Sequence, residues 1–119
     1  MLEDPVLDEE VVDGLRRLGG DVFVEIVRLW FENLGLNITT MQKAVIDGDR
    51  PVLAAAAHTL RGSAANVGAA RLARACGTVE VGLRGPIDDV LLAEQVATIA
   101  AEAEAARAAM ATVTGQSAR

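Results

Sequence analysis

Apolar residues return every three or four positions along most of this chain, and nowhere do they alternate with polar ones over the length of a strand. The pattern predicts five helices. A short first helix over roughly residues 9–18 follows Asp8, which can cap it, and puts Val11, Val12, Leu15 and Leu18 on one side. Gly19 and Gly20 stop it. Asp21 then caps a long second helix in which Phe23, Ile26, Val27, Trp30, Leu34, Ile38, Met41 and Val45 form the inward stripe. Trp30 reads as core and its neighbour Phe31 as partly exposed, while Gly35 is a point where the helix can kink. Gly48 and Asp49 end the second helix and cap the third, whose first turn tolerates Pro51 because the missing N–H has no partner there.

Gly68 closes the third helix. A fourth, over about 69–84, turns Leu72, Cys76, Val79 and Leu83 inward, and Gly85-Pro86 ends it. Asp88 caps the last helix, where Leu92, Val96, Ile99, Ala103, Ala106, Met110 and Val113 alternate steps of four and three, the spacing of left-handed packing in a bundle. Short connections make consecutive helices antiparallel. The expected fold is therefore all-α: an up-down-up-down antiparallel four-helix bundle with a short N-terminal helix packed across one end. One domain covers residues 1–119, with its core over about 6–113 and a frayed tail over 114–119.

The third helix carries the chain's only histidine. At about 100° per residue, Leu53, Ala56, Ala57, Leu60, Ala64 and Val67 fall within about 60° of one line, and His58 points about 140° away from Leu53, toward water. Its helical neighbours are Ala54, Ala55, Arg61, Gly62 and Ala65. Exposed helix faces are normally filled with Glu, Lys, Arg and Gln, and a helical Gly costs about 1 kcal/mol relative to Ala. A bare imidazole with one guanidinium a turn away implies that something large has to approach the ring. Ser63 points elsewhere, toward helix packing.

Charge and composition narrow the classes. A net charge of −6 argues against a nucleic-acid partner, and no apolar run reaches the length of a membrane span. The acidic start MLEDPVLDEE does not read as a signal peptide. The single cysteine, Cys76, excludes an internal disulfide, suits the reducing cytoplasm, and reads as a buried structural thiol. No inward His and Glu pairs suggest a metal-binding bundle, and no P-loop is present. Acidic Glu25, Glu32, Asp47, Asp49 and Glu80 are candidates for partner choice, although charge on exposed helix faces usually serves only solvation.

The string H-T-L-R-G-S-A-A-N-V-G-A, from His58 to Ala69, resembles the phospho-acceptor segment of histidine-containing phosphotransfer (HPt) domains. Those segments read His, two residues, Lys or Arg, Gly, Ser or Ala, then Gly-Ala or Gly-Leu; Arg61 stands where Lys is commoner. The resemblance implies that His58 accepts a phosphoryl group from a receiver-domain aspartate and passes it to a response regulator. Arg61 would steady its oxygens, Gly62 would leave room for it, and Ala54, Ala55, Thr59 and Ala65 would floor the partner's docking surface. It implies no cofactor in this chain, Mg²⁺ on the partner receiver domain, and a carrier rather than an enzyme. The partners implied are response-regulator receiver domains and an upstream (hybrid) histidine kinase, with no nucleic acid, no membrane, and a monomeric state. Two alternatives stay open: an HPt-like bundle that docks a receiver without carrying phosphate, and the dimerisation and phospho-acceptor module of a histidine kinase. Such modules usually follow the histidine with an acidic residue and Thr-Pro, whereas Thr59-Leu60-Arg61-Gly62 follow here.

Overall fold

Aspartate caps and left-handed glycines set where the chain turns. Asp8, Asp49 and Asp88 each accept backbone N–H bonds from the first turn of a helix, as at Val52 (3.2 Å) and Leu91 (2.8 Å). Gly48 and Gly68 end helices with φ of 68° and 84°, a conformation costly for any residue with a Cβ. The computed structural model describes residues 4–115, and every regular element among them is a helix. They are α1 (Glu9–Arg16), α2 (Gly20–Asp47), α3 (Arg50–Val67), α4 (Ala70–Leu83) and α5 (Asp89–Thr114).

Helices α2 and α4 each pack against both α3 and α5, while the backbones on the two diagonals stay apart. That is a closed square of antiparallel neighbours, the expected bundle. The short α1 rests on α2 and α3 at the end where α3 turns into α4. There the Asp8 N–H donates to the Gly68 carbonyl at 2.7 Å. A Cβ on Gly68 would lie 3.1 Å from both the Asp8 oxygen and Val12 Cγ2, so this glycine also makes room for α1.

The core is aliphatic. All six inward residues expected on α3 are buried, as are Leu72, Cys76 and Val79 of α4. Leu92, Val96, Ile99, Ala103, Ala106 and Met110 of α5 join them. On α2, Phe23, Val27, Trp30, Leu34 and Met41 are buried together with Ala44, whereas Ile26, Ile38 and Val45 are half-buried. Phe31 is half-buried, with the Arg107 guanidinium 5.1 Å from its ring centre. Cys76 is shut in, and burial followed by the nearby Glu80 charge pushes its thiol up to about 12.

Three expectations need correction. α1 stops at Arg16, so Leu18 falls outside it and is 58% exposed. Asp21 is not the cap of α2: the helix begins at Gly20 behind Gly19, with no side-chain cap. α2 also runs unbroken through Gly35. At the other terminus Thr114 is the last helical residue and Gly115 caps it, while the rest of the expected frayed tail lies outside the described residues. Among the described residues, no helix is long and apolar enough to cross a membrane, and no cluster of His, Cys, Asp or Glu could hold a metal.

Candidate functional site

With its six apolar residues turned inward, α3 has to present His58 on its outer side, and the His58 side chain is 69% exposed. α4 runs back along α3 and brings Glu80 up to it. Glu80 Oε2 lies 2.9 Å from His58 Nδ1, and Glu80 Oε1 lies 2.8 Å from Arg61 Nε. The Glu80 side chain is only 11% exposed, so a sheltered carboxylate joins the imidazole to the guanidinium across the helix seam. Shelter strengthens such contacts, because less water competes for the carboxylate.

Glu80, which the sequence offered only as one of five acidic candidates for partner choice, sits against His58 and Arg61 instead. Its position held a signal: it stands four residues after buried Cys76 and three before half-buried Leu83, at the edge of the inward stripe of α4. An acidic residue there is drawn into the seam rather than left on a solvated face. The other acidic candidates have ordinary duties. Glu25 and Glu32 both pair with Arg28, Asp47 pairs with Lys43, and Asp49 caps α3. The Arg28 guanidinium hydrogen-bonded to Glu25 holds that carboxyl below its usual range.

His58, Arg61, Gly62 and Ala65 come together with Ala73 and Arg74 around an open depression of about 470 Å³. A Cβ added to Gly62 would meet nothing within 4 Å, so packing inside this chain does not require a glycine there. Arg61 lies along α4, its Cδ 3.7 Å from where a Cβ on Gly77 would stand. Arg74 pairs with Asp4 on the far side of the depression. Ala55 and Thr59 are exposed on the outer side of α3 and Ala54 is half-buried, but none of the three lines the depression. The Ser63 hydroxyl donates to the Leu60 carbonyl at 3.2 Å, a bond within its own helix.

Chemically, the site offers an accessible nitrogen nucleophile, a cation one turn away, and space above both. The family model described as Hpt domain matches residues 25–109. Among solved structures, the chain is similar to histidine-containing phosphotransfer protein B (HptB) from Pseudomonas aeruginosa PAO1. The likeness has a TM-score of 0.83 at 20% identity and covers 98% of this chain and 100% of that one. It is also similar to the HPT domain of a sensor hybrid histidine kinase from Shewanella, with a TM-score of 0.73 at 17% identity over 95% of this chain and 97% of the other. No curated protein sequence matches the chain.

Proposed function

As the chain belongs to the Hpt domain family, we propose that it is a phosphorelay carrier in which His58 takes a phosphoryl group from a receiver-domain aspartate and hands it to the aspartate of a response regulator. The observation that carries this reading is the exposed imidazole on a face stripped to Ala and Gly, with Arg61 one turn on. An imidazole is partly neutral near pH 7 and is a good nitrogen nucleophile. A ring-nitrogen lone pair forms the N–P bond as the P–O bond to the aspartate breaks, its electron pair staying on the carboxylate oxygen. The outward step reverses this.

Phosphoryl transfer asks mainly for positioning and charge stabilisation. The Arg61 guanidinium supplies charge-assisted hydrogen bonds to the phosphoryl oxygens, and Gly62 leaves room for group and partner. Ala54, Ala55, Thr59 and Ala65 make the floor on which the receiver docks. The receiver brings the Mg²⁺. This chain works as a monomeric carrier in the cytoplasm, without kinase activity of its own, between an upstream (hybrid) histidine kinase and response regulators. Four helices close the bundle within one chain, which favours a carrier over half of a dimeric kinase module; light scattering should give the mass of one chain.

Incubation with a receiver domain carrying radiolabelled phosphate should place acid-labile label on the wild type and none on His58→Gln. Label on that variant would end the assignment of His58, and an unlabelled wild type would leave only docking.

A further inference from the structure

The segment that precedes α1 runs along α4 as a strap, fastened at points outside the site. Val6 and Leu7 pack half-buried against the core, and the Asp8 N–H donates to the Gly68 carbonyl at 2.7 Å. Arg71 donates to the carbonyls of Val6 and Asp4, from its backbone N–H and its guanidinium. Arg71 is itself pinned by Glu102 at 2.9 Å, in a pair whose side chains are only 24% and 21% exposed. The strap thereby carries the Asp4 carboxylate to the rim of the His58 depression, where it pairs with Arg74.

The Arg74–Asp4 pair is built differently from the Arg71–Glu102 pair. Its side chains are 56% and 65% exposed, so water competes for both, and such a pair holds by a factor of about five at most. Among the described residues Asp4 is the only partner of the Arg74 guanidinium. Arg74 lines the depression together with His58 and Arg61, and also the adjoining groove, which Arg84 lines too. We propose that Arg74 is a docking residue kept in reserve: Asp4 occupies it in the free chain and gives way, when a receiver docks, to an acidic side chain on the receiver's face. The proposal rests on the carrier reading above. It adds a specificity contact and the intramolecular group that competes for it.

The occupant is argued from charge. A receiver that holds Mg²⁺ beside its phosphorylated aspartate needs carboxylates to bind the ion, so the face it brings to His58 is acidic. This chain has a net charge of −6 and repels such a face at long range. The three arginines at the depression and its adjoining groove are the local patch that can receive it. Arg61 already lies against Glu80 at 2.8 Å, whereas Arg74 is held only by a weak, exposed contact. Because the strap is fastened through Arg71, Leu7 and Gly68, Asp4 can release Arg74 while α1 stays in place. The exchange gives up one exposed ion pair and forms another where docking excludes water, which strengthens it.

The test is binding and transfer by the full chain. The probe is the tightest binder among the source organism's receiver domains, loaded with Mg²⁺ and carrying no phosphate. Arg74→Ala should weaken binding about fivefold and, once the receiver is phosphorylated, raise the KM of transfer by a similar factor with kcat unchanged. Asp4→Asn should tighten binding about threefold, because Arg74 is then always available. Glu10→Gln removes the same charge from an exposed residue of α1 that does not pair with Arg74, and should change binding by less than about 1.5-fold. In an Arg74→Ala background Asp4→Asn should do no more than Glu10→Gln. Arg74→Ala that binds like the wild type, or Asp4→Asn that tightens binding as much without Arg74 as with it, overturns the exchange. A loss confined to the phosphorylated receiver would make the phosphoryl group the partner of Arg74, and overturns the acidic side chain. A wild type that binds the receiver but takes no label sinks the carrier reading and leaves the docking contact standing, whereas one that binds none of those domains sinks both.

Discussion

Gly62 lies inside α3 and Gly68 caps its end six residues later, and the two are glycine for opposite reasons. Gly68 is required from within: its φ is +84°, and a Cβ would press on Asp8 and Val12, where α1 crosses the end of the bundle. Gly62 has helical backbone and open space around it, so the chain bears the helix-propensity cost of about 1 kcal/mol with no return in its own packing. Gly35 of α2 is equally open, so it is the place of Gly62, one turn from the exposed imidazole, that points to something outside the fold. That contrast separates the end of α3 that holds the molecule together from the middle of α3, where the proposed function puts the partner.

Leucine at the two positions should split stability from transfer. Gly68→Leu combines left-handed strain with a steric clash and should cost about 3 kcal/mol or more, a fall in melting temperature of roughly 10 °C or greater. A melt within a few degrees of the wild type would mean that α1 is not tied down as described. Gly62→Leu should leave the melt unchanged or slightly higher, since a helical Gly is replaced by a better helix former. Transfer from a phosphorylated receiver should fall about a hundredfold, because the reacting atoms can no longer approach to bonding distance. Unimpaired transfer would remove the steric reading of Gly62 and leave it a tolerated glycine.

Arg61 tests the same contrast one residue away. Arg61→Ala should slow transfer by about tenfold while receiver binding stays within a few-fold, since a charge-assisted contact to the phosphoryl oxygens matters most when those oxygens are there. Lys at this position should recover part of the rate, as a point charge without the planar fork. Equal losses in binding and in rate would make Arg61 a docking residue instead.

Much of this contrast was legible in the sequence because it is local. The six inward residues of α3 follow from one period, and the exposure of His58 follows from them. Asp8, Asp49 and Asp88 announce helix starts because a carboxylate two or three residues ahead of free N–H groups is a local fact. The misreadings have local causes too. α1 gave out after Arg16, which freed Leu18, and α2 began at Gly20 without needing Asp21. Glu80 was hidden for a different reason. Its partners lie 22 and 19 residues earlier, and they meet only because the packed cores of α3 and α4 fix the register between the two helices. No period along one helix encodes that register.

Cys76 and Glu80 extend the comparison to α4, four residues apart, one buried for the fold and one sheltered for the site. The smallest expected effect separates them. Burial, and after it the Glu80 charge, raise the Cys76 thiol from 9.0 to about 12, so the folded chain keeps a proton that the unfolded chain gives up earlier. Below pH 9.0 both states hold that proton and stability carries no slope from it. Between 9.0 and 12 the unfolded state binds fewer protons, so stability falls as pH rises, by up to about 1.4 kcal/mol per unit and about 1 kcal/mol by pH 10. Cys76→Ala should start from a lower stability because of the lost sulfur, yet its denaturation midpoint should decline less steeply over that window. Glu80→Gln, which keeps the burial and removes the charge, should reduce the slope only in part. Parallel pH curves for the wild type and Cys76→Ala would show that the thiol reaches water in the folded chain, and the seam beneath Glu80 would then be open rather than packed.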